Sequence, residues 1–193
     1  MTPDGDARAA AVVCHAHPLH GGMMHFKLVF RVAKALQEQG LAVLRFNFRG
    51  VGRSEGVHDH GVGEQKDARA ALDELARRFP GVALVAAGFS FGAVVTQRVA
   101  VRDERVRASA ALGLPIAHIE DVSFLQSTAG PRLFVQGGND EFGDAQRIRQ
   151  VVDPLAEPRS LVVIEGADHY FTGRLDEVHA AVASWAAGSP WGG

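Results

Sequence analysis

Residues 82–92, VALVAAGFSFG, decide the fold that the sequence predicts. The run VALVAAG is continuously apolar or small, as in strands buried on both faces, and G-x-S-x-G follows at residues 88–92. A sharp strand-to-helix turn at this motif exposes the hydroxyl of Ser90 and requires very small flanking residues. The segment predicts a nucleophilic Ser90, with the Phe91 N–H at the helix N-terminus directed at a substrate oxygen. A plain Gly-Ser turn is the alternative.

Apolar runs and amphipathic segments alternate along the whole chain. The apolar runs predict strands at residues 10–16, 41–46, 82–88, 108–114, 132–137 and 160–166. Helical patterns occupy residues 26–39, 64–79, 144–152 and 175–187, and another helix is expected after Ser90. The first helix carries an apolar face at Phe26, Val29, Phe30, Ala33 and Leu36. This alternation predicts an α/β fold with an open, mostly parallel sheet of about six strands flanked by helices.

Ligands bind beyond the carboxyl ends of the strands in such sheets, so the residues that follow the strands are the site candidates. Asp140 follows the fifth strand and His169 follows the sixth. The order Ser90, Asp140, His169 supplies a nucleophile, an acid and a base, because a serine needs a base and the base an orienting carboxylate. Glu141 or Asp144 could replace Asp140 as the acid.

The loop HAHPLHGG, residues 15–22, can be interpreted in three ways. His15, His17 and His20 come within one residue of the zinc signature H-x-H-x-D-H, and VHDHG at residues 57–61 offers further ligands. However, Leu19 stands where that signature has aspartate, and leucine cannot bind metal. The second interpretation is a turn whose backbone N–H groups hold a substrate oxygen, and the third is a merely structural loop.

Together these fragments resemble the α/β-hydrolase superfamily, and more narrowly its small lidless dienelactone-hydrolase-like esterases. The resemblance covers nearly the whole chain, through HAHPLHGG, RFNFRGVGRSEG, GVGE, GFSFG, GGNDEFG and GADHYF. It implies a Ser-His-Asp triad, no cofactor and a second oxyanion donor from the loop after the first strand. The expected donor is the Leu19 N–H, because Pro18 has none.

The sequence departs from that superfamily in two places. Only about nine residues precede the first predicted strand, so the usual N-terminal strands are expected to be reduced or missing. The segment between the fourth and fifth strands is too short for a folded lid, which predicts an open site. Possible substrate-pocket residues are His17, His20, Tyr170 and Phe171, with packing in the core as the alternative for Tyr170 and Phe171. His17 is also expected to buttress its loop. Arg49 and Arg53 are expected to form structural ion pairs.

Composition limits the function classes. We expect 193 residues to form a single domain, 1–193, and a net charge of −2 argues against nucleic acid or an anionic membrane as partner. No apolar run reaches the roughly 18 residues of a membrane span, and no signal peptide is evident. The lone cysteine, Cys14, sits in an apolar run and fits a reducing, cytoplasmic location.

The predicted function is a serine hydrolase that cleaves carboxylic esters, with short acyl chains, through an acyl-enzyme. The predicted partner is a small-molecule ester, and a homodimer is possible. Two alternatives stay open: a non-catalytic binding protein with the hydrolase fold, and a metal-dependent hydrolase that uses His15, His17 and His20.

Overall fold

A computed structural model describes residues 1–3, 6–127 and 130–189. Its six strands form one fully parallel sheet in the order β2-β1-β3-β4-β5-β6. The strands are β1 (Ala9–Cys14), β2 (Leu41–Arg45), β3 (Ala83–Phe89), β4 (Val106–Leu112), β5 (Arg132–Gly137) and β6 (Arg159–Ile164). The helices are α1 (Lys27–Glu38), α2 (Val62–Arg78), α3 (Phe91–Ala100), α4 (Ala145–Val152) and α5 (Leu175–Gly188). The predicted α/β class and parallel sheet are confirmed.

Helices cover both faces of the sheet. On one face α1 and α5 pack together against side chains such as Val13, Leu112 and Val135. On the other face α2, α3 and α4 cover the alternate side chains. Most strand residues are buried, because each strand meets helices on both sides, and this explains the continuous apolar runs in the sequence. Cys14 at the end of β1 is fully buried, and burial raises the pKa of its thiol.

The apolar face predicted for α1 is wrong at one position. Phe30 is 45 % exposed, whereas Leu28, Val32 and Ala35 are buried. The helix packs against the sheet and α5 at once, and this turns Phe30 to the solvent side. There the Arg45 guanidinium covers the Phe30 ring, 5.1 Å from its centroid.

Two features of the fold shape access to the sheet. The described part of the β4–β5 connection, residues 113–127 and 130–131, contains two 3₁₀ turns and no folded lid. At the other edge β2 is the outermost strand, and Met1 exchanges two 2.7 Å hydrogen bonds with the Val43 backbone. Among the helices of the described ranges, none is long and apolar enough to cross a bilayer.

Candidate active site

Ser90 occupies a strained turn between β3 and α3. Its backbone has φ 56° and ψ −120°, in a region that residues with a Cβ rarely adopt. The two glycines of the motif are sterically required: a Cβ on Gly88 would lie 2.3 Å from the Gly92 oxygen, and one on Gly92 would lie 2.4 Å from the His15 oxygen. The turn therefore exists because G-x-S-x-G lets α3 press directly onto β1 and β3.

The structure brings Ser90, His169 and Asp140 together from three loops. The Ser90 Oγ lies 2.9 Å from His169 Nε2, and His169 Nδ1 lies 2.8 Å from Asp140 Oδ2. Both His169 and Asp140 are only 2 % exposed. Because Asp140 accepts the Nδ1–H, the Nε2 lone pair faces the serine hydroxyl, and the imidazole is held as the tautomer that accepts its proton.

The other acidic candidates have different partners. Asp144 caps the N-terminus of α4 by accepting the Arg147 N–H at 2.9 Å. Glu141 is exposed. Asp168, which precedes His169 in the chain, accepts the Thr172 N–H at 2.8 Å and so stabilises the loop that contains both residues. Asp140 is the carboxylate that contacts His169.

Gln136, near the end of β5, is a site residue that was not predicted from the sequence. Its side chain is buried and donates from Nε2 to Asp140 Oδ2 and to the Gly143 oxygen, both at 2.7 Å. Its Oε1 accepts the Leu114 N–H at 2.9 Å. Gln136 thus joins the Asp140 loop to the end of β4. The signal in the sequence was a polar residue within the apolar strand RLFVQG.

Two loops supply backbone N–H groups near the serine. Phe91 is the first residue of α3, where N–H groups have no acceptor within the helix. The Leu19 N–H instead donates to His17 Nδ1 at 3.3 Å, so His17 buttresses its loop as predicted. No hydrogen bond from the His17 N–H to another described residue is present.

The two histidine-rich segments meet through the rings of His17 and His58, whose centroids are 4.7 Å apart. No group of three His, Cys, Asp or Glu residues within the described ranges could hold a metal ion. His15 is separate from the others: its Nδ1 faces the Ala16 oxygen and its Nε2 accepts the Phe48 N–H at 3.0 Å. Its burial lowers its pKa, which favours the neutral ring.

Ser90, Phe91 and His169 line an open cleft of about 680 Å³. His17, His20 and Tyr170 line it together with Ser90. The prediction that Phe171 lines the pocket is wrong: Phe171 is fully buried and packs in the core beneath α5. Adjacent positions face opposite ways here because the chain turns sharply at Phe171, whose φ is 53°.

The loop after β2 has a structural role. Arg49 forms an ion pair with Asp67 of α2, with Nη2 2.7 Å from Oδ1. The pKa of Arg49 is raised, chiefly because its side chain donates hydrogen bonds to Asp67. This agrees with the structural ion pair expected for Arg49, which ties the glycine-rich loop to α2. The same expectation is wrong for Arg53, which is exposed and forms no ion pair with another described residue.

Comparison with known proteins supports this description. A family described as "Alpha/beta hydrolase domain" matches residues 8–187. An uncharacterised protein of Rickettsia prowazekii is 38% identical in an alignment of 180 residues that covers 89% of this chain and 76% of that protein. Among solved structures, this chain is similar to an alpha-beta serine hydrolase homologue from Coxiella burnetii. The TM-score is 0.88, the identity is 38%, and the match covers 95% of this chain and 88% of that one.

A second solved structure bears on the open cleft. An α/β serine hydrolase without a lid from Xanthomonas campestris has a TM-score of 0.87 and 36% identity, covering 95% of this chain and 84% of that one. These relatives support hydrolase activity in general. By the family match and these similarities, the chain belongs to the α/β-hydrolase family.

Proposed function

We propose that this protein is a serine hydrolase that cleaves carboxylic esters, with short acyl chains among its substrates. The single observation that carries the proposal is the continuous hydrogen-bonded array from Asp140 through His169 to Ser90, which opens into the cleft. A serine hydroxyl is a weak nucleophile, and a neighbouring imidazole held by a carboxylate activates it by accepting its proton. The array thus supports nucleophilic catalysis.

The reaction follows from the positions of these atoms. The Ser90 Oγ attacks the ester carbonyl carbon, and its proton passes to His169 Nε2. The tetrahedral intermediate collapses, the carbon–oxygen bond to the alcohol breaks, and the imidazolium returns the proton to the leaving alkoxide. Water then loses a proton to His169 and attacks the acyl-enzyme, which releases the carboxylic acid and restores Ser90.

Asp140 holds His169 for both steps. Its buried carboxylate accepts the Nδ1–H and stabilises the imidazolium that forms during each proton transfer. The carboxylate is itself oriented, because Gln136 Nε2 donates to Oδ2 and the Phe142 N–H donates to Oδ1 at 2.8 Å. Gln136 is in this proposal a positioning residue that acts through Asp140.

The oxyanion is held by backbone N–H groups at the helix and loop beside Ser90. Phe91 supplies one, supported by the positive end of the α3 dipole. Leu19 stays the predicted second donor, and its N–H would first have to leave His17 Nδ1. The His17 N–H lines the same loop and is the competing candidate. Loss of one donor costs about 10²–10³ in rate, so Leu19→Pro, which deletes that N–H, distinguishes the two.

The test uses Ser90→Ala with Ser184→Ala as its matched control, because Ser184 is an exposed serine of α5 far from the cleft. We expect the parent and Ser184→Ala to hydrolyse p-nitrophenyl acetate and butyrate and to react covalently with a fluorophosphonate. Ser90→Ala should lose about 10⁶-fold in turnover and all labelling.

Two other outcomes would replace the proposal. Folded parent protein that neither hydrolyses esters nor becomes labelled would identify a non-catalytic binding protein. Activity that survives in Ser90→Ala but disappears with a chelator would identify a metal-dependent hydrolase.

A further inference from the structure

Two histidine-rich segments far apart in the chain form one wall of the cleft. His17 and His20 come from the loop after β1, and His58 and His60 come from the loop before α2. With Phe91 they make a connected set of five rings, which we call the histidine wall. Its ring centroids are separated by 4.5 Å for His17–His20, 4.7 Å for His17–His58, 5.0 Å for His58–His60 and 5.0 Å for His17–Phe91.

A buried carboxylate holds this wall in place. Glu64 is fully buried and accepts from His58 Nδ1 at 2.8 Å, from the Asp59 N–H at 2.9 Å and from the Gly61 N–H at 2.8 Å. Burial alone would raise the pKa of Glu64, but these N–H donors hold it below its ordinary value. The loop that carries His58 and His60 is therefore fixed before any ligand arrives, and the ordering cost on binding is reduced.

The rings of the wall pack on one another, and within the described residues they form no group that could hold a metal ion. His17 and His20 stack with an interplanar angle of 21°, and His17 Nδ1 is already occupied by the Leu19 N–H. The pKa of His17 is lowered by burial and by the neighbouring imidazoles, which favours its neutral form near pH 7. Neutral aromatic rings at these separations interact best with another planar ring.

The position of the histidine wall bears on which part of a bound ester it could contact. Within the described residues, the His169 ring contacts the rings of Phe89, Phe142 and Tyr170 but none in the histidine wall. The alcohol oxygen of the substrate must lie beside His169, which protonates it, and the carbonyl oxygen must face the Phe91 N–H. The acyl group is the remaining substituent of the carbonyl carbon, and the rings of the histidine wall line the cleft outside the ring contacts of His169.

Building on the proposed esterase function, we propose that the preferred substrate carries a planar aromatic ring in its acyl part and that this ring packs on the histidine wall formed by His17, His20, His58, His60 and Phe91. Ring-on-ring contacts contribute beyond the burial of apolar area. An apolar pocket without ring specificity would instead favour a saturated ring, which has more hydrogens and more apolar surface to bury.

The test compares two substrates that differ in that ring alone. p-Nitrophenyl 3-phenylpropanoate and p-nitrophenyl 3-cyclohexylpropanoate share a leaving group, and two methylenes insulate the carbonyl from the ring. We expect the parent to favour the phenyl ester by about three- to tenfold in kcat/KM, the size of a ring-pair interaction.

Variants of His20 tie the preference to the wall. His20 is exposed at the cleft and makes no hydrogen bond to another described side chain, so it can be exchanged without unpairing a buried group. His20→Leu should reduce the phenyl preference toward one, whereas His20→Phe should retain it. His25→Leu is the matched control, because His25 is an exposed histidine outside the cleft lining; it should behave as the parent.

The outcomes separate this inference from the function on which it rests. Equal or better hydrolysis of the cyclohexyl ester by the parent overturns the inference, while the esterase function stands. An unchanged phenyl preference in His20→Leu also overturns it. Hydrolysis of the acetate but of neither ring ester would show that the wall does not admit a ring. Absence of all hydrolysis together with no fluorophosphonate labelling would overturn the proposed function itself.

Discussion

The strained backbone at Ser90 predicts an unusual order of stability among its variants. At φ 56° and ψ −120° a residue with a Cβ costs about 1–3 kcal/mol, and glycine relieves this strain. Glycine also loses more chain entropy on folding, about 0.5–1 kcal/mol relative to alanine. Both Ser90→Gly and Ser90→Ala lose the hydroxyl, so their difference isolates the backbone. We expect Ser90→Gly to be more stable than Ser90→Ala by about 1 kcal/mol.

Ser184 provides the internal reference for this comparison. It is an exposed residue inside helix α5, where glycine is about 1 kcal/mol worse than alanine. The order of the Gly and Ala variants should thus reverse between positions 90 and 184. At about 2–4 °C per kcal/mol for a domain of this size, each difference is measurable by thermal melting and by urea denaturation. If alanine is as stable as glycine at position 90 while Ser184 shows the ordinary order, the turn is not strained as described.

Three further predictions concern the carboxylates and their partners. Asp140→Asn should lower kcat by about 10⁴-fold through the wrong His169 tautomer, whereas Asp144→Ala should keep activity and lose about 1 kcal/mol of stability with its helix cap; ester assays and urea melts measure both. Gln136→Leu should reduce kcat more than it raises KM, because it disturbs Asp140 without touching substrate; steady-state kinetics would refute this by showing a change in KM alone. Because the pKa of Glu64 is lowered in the folded state, its ionised form stabilises the fold above its ordinary pKa of 4.5. The stability gap between parent and Glu64→Gln should therefore shrink as pH falls below that value, and a gap independent of pH would contradict it.

Much of the fold could be predicted because the sheet is parallel and buried on both faces. Each strand then has to be a continuous apolar run, and each crossover has to be an amphipathic helix, so both leave periodic signals in the sequence. Two predictions of side-chain position were wrong, one on a helix that packs against two elements and one at a sharp turn. Phe30 lies on the face of α1 that the sheet and α5 leave exposed, and Phe171 turns inward at a left-handed backbone position.

The candidate site was likewise predictable only in part. Ser90, Asp140 and His169 could be named because the carboxyl ends of parallel strands converge at one edge of the sheet, whatever their distance along the chain. The sequence favoured Asp140 as the acid but left Asp144 open as an alternative, because two carboxylates four residues apart differ only in which way their side chains point. In the folded chain one contacts His169 and the other caps α4.

The alternation of strands and helices, the serine in the tight turn, and the order of Ser90, Asp140 and His169 follow from the amino-acid sequence alone. These depend on local steric rules and on hydrophobic periodicity, which are written along the chain. The hydrogen bond of Gln136 to Asp140, and the packing of His58 against His17 in a wall of rings, exist only in the folded chain. Those relations depend on side-chain direction and on contacts between loops some forty residues apart, and no local pattern encodes them.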